Sequence, residues 1–142
     1  MLRLSKKTEY ALIALKDIAL NSRIQLMTAR EISENHQVPR DLLAKILQTL
    51  THHSIIRSVQ GAKGGYILNK PVEEITLLGL IEILDGPAGL MECSLPEPVN
   101  CTYLDTCSIR CQLALLNQKI LAMLQGITLR HFLRNELKAV LG

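Results

Sequence analysis

The chain of 142 residues contains no tryptophan, a single phenylalanine and three tyrosines. With so few aromatic rings its core has to be aliphatic, and a protein that stacks the bases of single-stranded nucleic acid is disfavoured. No apolar run is long enough to cross a bilayer, so we expect no membrane contact and a cytoplasmic location. The chain also lacks a nucleophile–base arrangement and a paired-carboxylate motif, which argues against an enzyme.

Positive charge is concentrated in the first half of the chain. Residues 1–70 carry eleven Lys and Arg against five Asp and Glu, whereas residues 71–142 carry five against eight. A basic half suits a polyanionic partner, although charge alone does not distinguish DNA, RNA and a lipid surface.

Capping signals predict a helix-turn-helix in the basic half. A long apolar helix, which Ser5 can cap and which runs to about Leu20, comes first. Thr28 and Glu31 then form a capping box for a short helix that ends near Asn35. After a turn, Pro39 stands in the first turn of a helix that reaches about His52, with apolar residues at helical spacing.

A glycine-rich hairpin follows. Two β-prone runs, residues 55–59 and 66–68, flank Gly61, Gly64 and Gly65. No Gly-Lys-Ser/Thr sequence opens a helix here, so a turn with positive φ angles is a better account than a nucleotide-binding loop. The predicted fold is therefore mainly α: a winged helix-turn-helix with a small β-hairpin wing and a long C-terminal dimerisation helix.

Three regions are expected along the chain. Residues 1–85 form the winged-helix DNA-binding domain, residues 86–107 an irregular cysteine loop, and residues 108–142 a dimerisation helix and a last helix that runs to the C-terminus. The dimerisation helix is predicted from about Cys107 to Leu124. Its apolar residues follow a heptad seam suited to pairing with a second copy: Ile109, Leu113, Leu116, Ile120 and Met123.

All four cysteines fall within nineteen residues: Cys93, Cys101, Cys107 and Cys111. Clustered thiolates are a soft ligand set for an iron–sulfur cluster, zinc or copper(I), although the tight C-x2-C pairs of ferredoxins and zinc ribbons are missing. Idle reduced thiols are the plainer interpretation. If three thiolates bind a cluster, a fourth donor is needed, either Cys111, one helical turn after Cys107, or Glu9, which is otherwise an ordinary first-turn acid.

The polar side of the second helix of the helix-turn-helix is expected to meet base edges in the major groove. The residues on that side are Arg40, Asp41, Ala44 and Lys45. A solvated face is the plainer alternative. The adjoining wing, which adds Arg57 and Lys63, favours contact with DNA.

Two motifs and the three-cysteine loop resemble the Rrf-type family of bacterial iron–sulfur transcription regulators, across about residues 1–135. The motifs are the opening Leu2–Lys6 and the wing segment Val59–Tyr66. The resemblance implies a homodimer that binds a 2Fe–2S or 4Fe–4S cluster. Three residues fall at the cluster-binding positions of the family: Cys93, Cys101 and Cys107. Their spacing is closer to the RirA-like and SUF-regulator branch than to the IscR and NsrR types.

Departures from the family pattern are informative. Arg110 stands where IscR-type proteins have a histidine ligand, and Glu9 stands where NsrR-type proteins have an aspartate donated by the partner subunit. Gln60 replaces an arginine that probes DNA in IscR-type proteins, and Ala44 replaces a glutamate of the recognition helix. The operator sequence of those relatives therefore does not transfer to this chain.

The resemblance implies a regulator that binds a palindromic operator in double-stranded DNA under the control of its cluster and acts on genes of iron–sulfur assembly or iron homeostasis. A thiol-redox or zinc-dependent repressor of the same fold is the alternative. A small electron carrier that binds no DNA is a third hypothesis, which the basic half and the wing disfavour.

Overall fold

The computed structural model describes residues 3–97 and 100–142. The first residue of the Leu2–Lys6 motif and two residues of the predicted cysteine loop, Pro98 and Val99, lie outside the described residues. Within these ranges the elements are α1 Lys6–Asn21, α2 Ala29–His36, α3 Arg40–His52, β1 Ile56–Val59, β2 Gly65–Leu68, α4 Leu77–Asp85, a 3-10 turn Glu92–Ser94, α5 Arg110–Gly126, α6 Leu129–Arg134 and α7 Leu137–Leu141.

Side-chain caps start α1 and α2 where the sequence predicts them. The Ser5 hydroxyl accepts the Thr8 N–H at 3.1 Å. At α2 the capping box is complete: the Glu31 N–H donates to the Thr28 hydroxyl at 3.2 Å, and the Thr28 N–H donates to the Glu31 carboxylate at 2.8 Å. Both helix starts are thus fixed by local sequence.

The turn between α2 and α3 completes the predicted helix-turn-helix. Gln37 ends α2 in the left-handed region, at φ 53°. The Ser33 hydroxyl then donates to the Val38 carbonyl at 2.7 Å and holds the turn. Pro39 is the N-cap of α3 and does not lie within its first turn as predicted, because its ψ of 124° is not helical.

The hydrophobic core surrounds α1. Ala11, Ala14, Leu15 and Ile18 have no exposed surface, and α1 packs against α3, α4, α6 and β2. Leu43, Leu47 and Leu50 of α3 complete the opposite wall as fully buried side chains. An aliphatic helical core is what the scarcity of aromatic residues predicts.

The hairpin is antiparallel, with Ile56 opposite Leu68 and Val59 opposite Gly65. It is also tied to the helix-turn-helix, since the Tyr66 N–H donates to the Met27 carbonyl at 2.9 Å. The wing is therefore held against the segment that enters α2. The predicted winged-helix fold is confirmed.

The C-terminal part departs from the sequence expectation at two places. α5 begins at Arg110, after its N-cap Ile109, and not near Cys107. The stretch before it forms turns, with hydrogen bonds from Leu104 N–H to Cys101 O and from Thr106 N–H to Tyr103 O. The single last helix is wrong as well. Asn135 adopts φ 53°, which an asparagine tolerates, and this residue separates α6 from α7.

After α5 the chain returns to the winged-helix domain. Thr128 forms an isolated β-bridge with Thr76. The Leu77 N–H donates to the Ile127 carbonyl, and the Leu129 N–H donates to the Ile75 carbonyl, both at 2.8 Å. The start of α4 and the start of α6 are thereby joined.

Candidate functional site

The start of α3 presents a polar face to solvent. The four candidate DNA-reading residues of this helix are all exposed: Arg40, Asp41, Ala44 and Lys45. Leu43 and Leu47, on the other side, are fully buried. The helix is therefore oriented by its apolar side, and its first turns are free to enter a groove.

Sequence reasoning missed one residue of this face. Gln48 is exposed and lies one helical turn after Ala44 and nearly one turn after Lys45. A glutamine amide can pair with an adenine edge through two hydrogen bonds. The i+4 spacing from Ala44 is the signal that identifies it.

The wing adds exposed polar and basic side chains at its loop. Arg57, Gln60 and Lys63 are all exposed. Gly61 has a φ of 121°, as the glycine-rich turn predicts, whereas Gly64 is needed for space because a Cβ there would overlap the Val59 carbonyl oxygen.

A groove of about 520 Å³ separates the wing loop from the start of α2, and its lining includes Thr28, Glu31, Lys63 and Gly64. Hydrogen bonds from the Thr28 N–H and then from the Thr28 hydroxyl lower the pKa of the Glu31 carboxyl. The Glu31 carboxylate thus accepts hydrogen bonds within the α2 cap, and it lies beside the basic wing loop.

The cysteines differ in exposure. Cys93 lies in the 3-10 turn and is partly buried, whereas Cys101, Cys107 and Cys111 are exposed, and all four are free thiols. Cys107 precedes α5 by three residues and Cys111 is its second residue. The expectation that Cys107 and Cys111 share one helix face is therefore wrong.

The donor chemistry fits a soft metal centre, since four reduced thiols stand close together in sequence. The thiols are not preassembled. Among residues 3–97 and 100–142, no three His, Cys, Asp or Glu side chains are grouped so that they could hold a metal ion. The loop has to rearrange, or receive a donor from elsewhere, before such a centre forms.

In the single chain, the Glu9 carboxylate is paired with Lys6. This carboxylate contacts the Lys6 ammonium at 2.6 Å, and the exposed fraction is 71% for the Lys6 side chain and 41% for that of Glu9. The hydrogen bond from Lys6 to Glu9 raises the pKa of Lys6. A role for Glu9 as a metal ligand therefore requires it to leave Lys6.

Two side chains of α5 hold the cysteine loop. The Asn117 amide oxygen accepts the Leu90 N–H at 2.9 Å, and the Arg110 guanidinium donates to the Leu104 carbonyl at 3.2 Å. A cavity of about 240 Å³ lies between loop and helix, and Cys93, Arg110 and Asn117 are among its lining residues. Sequence reasoning considered Arg110 only as a missing histidine and did not identify Asn117.

Asp85, the residue that directly precedes the cysteine loop, is hydrogen-bonded to the N-cap and first turn of α1. The Asp85 carboxylate, at the end of α4, accepts the Ser5 hydroxyl at 2.5 Å and the Thr8 hydroxyl at 3.1 Å. Thr8 is fully buried. The loop thus leaves the winged-helix domain directly after a residue that is hydrogen-bonded to the first turn of α1.

One side of α5 remains apolar and uncovered. Ile109, Leu116 and Met123, seven residues apart, expose 56%, 48% and 47% of their surface. Leu113 and Ile120 of the predicted seam are only partly exposed.

In residues 3–97 and 100–142 we find no helix with the length and hydropathy of a membrane span.

Comparison with known proteins identifies relatives of the whole described chain. Residues 4–135 match the family described as Rrf2, iron-dependent transcriptional regulator. The HTH-type transcriptional regulator NsrR of Oceanobacillus iheyensis is 30% identical over 146 residues, which cover 99% of this chain and 97% of that protein.

Two solved structures share the fold. The structure of CymR, the global cysteine regulator of B. subtilis, superposes with a TM-score of 0.76 at 21% identity, covering 95% of this chain and 98% of that one. The structure of T. potens IscR gives 0.73 at 24% identity, with 97% and 90% covered. These likenesses establish the winged-helix architecture.

Proposed function

Because the chain belongs to the Rrf2 family of iron-dependent transcriptional regulators, we propose that it is a DNA-binding regulator whose operator affinity is set by an iron–sulfur cluster on the cysteine loop. Family membership makes the chain a transcription regulator and not an enzyme. The observation that carries the cluster part is the position of three reduced cysteines on the loop between the DNA-binding domain and α5.

DNA binding is assigned to the exposed face of α3 and to the wing. As a homodimer the protein places two copies of α3 about one turn of duplex apart, on a palindromic operator. Arg57 and Lys63 then lie where phosphates are expected, and Gln60 beside them at the edge of the groove. Arg40, Asp41, Ala44 and Lys45 face the bases.

The homodimer is supported by the uncovered stripe of α5. An exposed apolar row at seven-residue spacing is the pattern by which two helices pair. Leu116→Glu places a charge in that row and is expected to give monomers in sedimentation experiments. Gln118→Glu, on nearly the opposite face of α5, is the matched control. A Leu116→Glu protein that remains a dimer would remove α5 from the interface.

Cys93, Cys101 and Cys107 would hold the cluster, which would supply a labile, redox-sensitive centre when bound. Glu9 from the partner subunit or Cys111 would complete the ligand set. The chain contributes a loop fastened to α1 through Asp85 and to α5 through Asn117. Reordering this loop shifts α5 relative to α1 and therefore the separation of the two α3 helices.

The test compares cluster-loaded and cluster-free protein on one duplex, selected by the loaded protein from a random library. A coupling of 1–3 kcal/mol changes affinity about five- to 150-fold, and both affinities should fall steeply with salt. Equal affinities would eliminate the switch. Purification without oxygen, followed by visible absorbance and iron and sulfide analysis, tests the cofactor itself.

A thiol-redox or zinc-dependent repressor of the same fold is the second candidate. Three of the four thiols are exposed and none is paired, and the CymR structure shares the fold. This candidate predicts a colourless protein that contains zinc, or a disulfide such as Cys101–Cys107 after oxidation. Cytoplasmic action and target genes of iron–sulfur assembly or iron homeostasis belong to the first proposal.

A further inference from the structure

Asn117 is an unusual residue for its position. It is the buried residue of α5, a helix of seventeen residues, and only 7% of its surface is exposed. Its neighbours on the inward side of the helix are apolar, among them Leu113, Leu121 and Leu124. Asparagine is a poor helix former, and a buried amide costs free energy unless it is hydrogen-bonded. A leucine would suit both the helix and its packing better.

The hydrogen bond made by the Asn117 side chain explains why an asparagine stands at this buried position. Its amide oxygen accepts the Leu90 N–H at 2.9 Å, across 27 positions of sequence. Leu90 directly precedes the compact turn that contains Cys93, in which the Ser94 N–H donates to Met91 O and the Leu95 N–H to Glu92 O. The end of the turn folds back on the residue before Leu90, since a Cβ at Gly89 would lie 3.0 Å from the Leu95 side chain.

Cys93 is held within this anchored unit and lines the same cavity as Asn117. The other two cysteines of the loop are exposed, in a stretch where the side-chain anchor is a single longer bond from Arg110 to the Leu104 carbonyl. In the ligand-free chain, the thiol of Cys93 is therefore held by more contacts than those of Cys101 and Cys107.

We propose that Asn117 is a positioning residue for Cys93: through Leu90 it fixes the thiol of Cys93 against α5 before any metal or oxidant arrives. Cys101 and Cys107 then close onto a sulfur that is already placed. The statement that Cys93 receives a metal rests on the proposed function. The statement that Asn117 positions the Cys93 thiol does not rest on it.

The experiment measures alkylation of each cysteine in the full-length, reduced, metal-free protein, resolved by peptide mass spectrometry. In Asn117→Leu, which cannot accept the hydrogen bond, Cys93 should react about fivefold faster, the population shift that one ordinary hydrogen bond accounts for. Cys101, Cys107 and Cys111 should keep their rates. Asn117→Asp retains an acceptor oxygen and should restore the wild-type rate at Cys93.

An unchanged Cys93 rate in folded Asn117→Leu would overturn the proposal, and so would equal acceleration of all four cysteines. If Asn117→Leu fails to fold, hydrogen exchange of the Leu90 amide in the wild-type chain decides. Exchange at least about tenfold slower than in an unstructured chain supports the anchor, and unprotected exchange refutes it. If Cys93 reacts faster in Asn117→Leu but the protein never takes up iron, the positioning role of Asn117 stands and only the cluster proposal fails.

Discussion

The DNA-binding region and the region that follows it are built on different principles. Of the eighteen buried hydrophobic residues in the described part of the chain, sixteen lie before residue 86, and the other two are Ile127 and Leu129. Among the described residues between Gly86 and Gly126, the one buried side chain is the polar Asn117. The first region is stabilised by its own apolar core, whereas the described part of the loop and α5 adds no fully buried apolar side chain to it.

The largest effect should follow from removing one thiol of the second region. Cys101→Ala is expected to abolish the visible absorbance of protein prepared without oxygen, because a cluster that loses a thiolate ligand is not retained. The fold should persist, since Cys101 is exposed. Circular dichroism checks the fold. Thr102→Ala, next to it in the same exposed turn, should keep the absorbance. A coloured Cys101→Ala protein would exclude Cys101 as a ligand.

A pair of leucines tests the contrast in packing. Leu47→Ala in α3 removes a fully buried side chain and should lower the free energy of unfolding by about 2–5 kcal/mol. Leu116→Ala in α5 removes one that is 48% exposed. In dilute monomer it should change that free energy by less than about 0.5 kcal/mol. Urea denaturation measures both, and equal losses would contradict the division of the molecule.

Salt dependence tests whether the wing of the first region contacts phosphates. Lys63→Ala should weaken binding to all duplex sequences alike and reduce the salt slope by about one, as expected for one lost phosphate contact. Lys119→Ala, an exposed lysine of α5, is the control. Titrations by fluorescence anisotropy at several salt concentrations measure the slope, and an unchanged slope would remove Lys63 from the interface.

The smallest effect concerns the cap of α2 and its pH dependence. Because the pKa of Glu31 is lowered in the folded protein from its ordinary value of 4.5, its ionised form stabilises the fold above that value. This stabilisation is lost as the pH falls through the lowered pKa. Wild type should therefore melt higher than Glu31→Gln at pH 6, and the difference should shrink below about pH 4.5.

Glu34→Gln provides the comparison on the same helix, since Glu34 is an exposed partner of Arg30. It should show a smaller difference at pH 6 than Glu31→Gln. A gap between wild type and Glu31→Gln that is constant from pH 6 to pH 3 would mean that the Glu31 carboxylate does not stabilise the cap through its charge.

Sequence reasoning succeeded where the determinants are local. Ser5 and the Thr28–Glu31 pair fix the starts of α1 and α2 by contacts within three residues, and the glycine at position 61 fixes the wing turn. These signals are properties of a short stretch of chain, so they can be identified without knowing what packs against it.

Sequence reasoning failed where two local conformations compete and where distant contacts decide. Turns precede α5 in a stretch that is also compatible with a helix, and Asn135 separates the last two helices by a left-handed conformation that its neighbours do not signal. The bond between Asn117 and Leu90 joins residues 27 positions apart. For the candidate site, the proposed DNA-facing residues were predicted from one helix and one hairpin, and the structure leaves them exposed. The cysteines are close in sequence, but sequence spacing does not say whether they meet in space.

The bridge between Thr76 and Thr128 makes the segment from Asp85 to Ile127 a closed ring, because both of its ends are attached to α4. α5 also packs along α4, which in turn packs against α1 and α3. The loop and α5 therefore return to the helix from which they depart, and α5 is attached to the winged-helix domain along α4 as well as through the buried Ile127 and Leu129 that follow it.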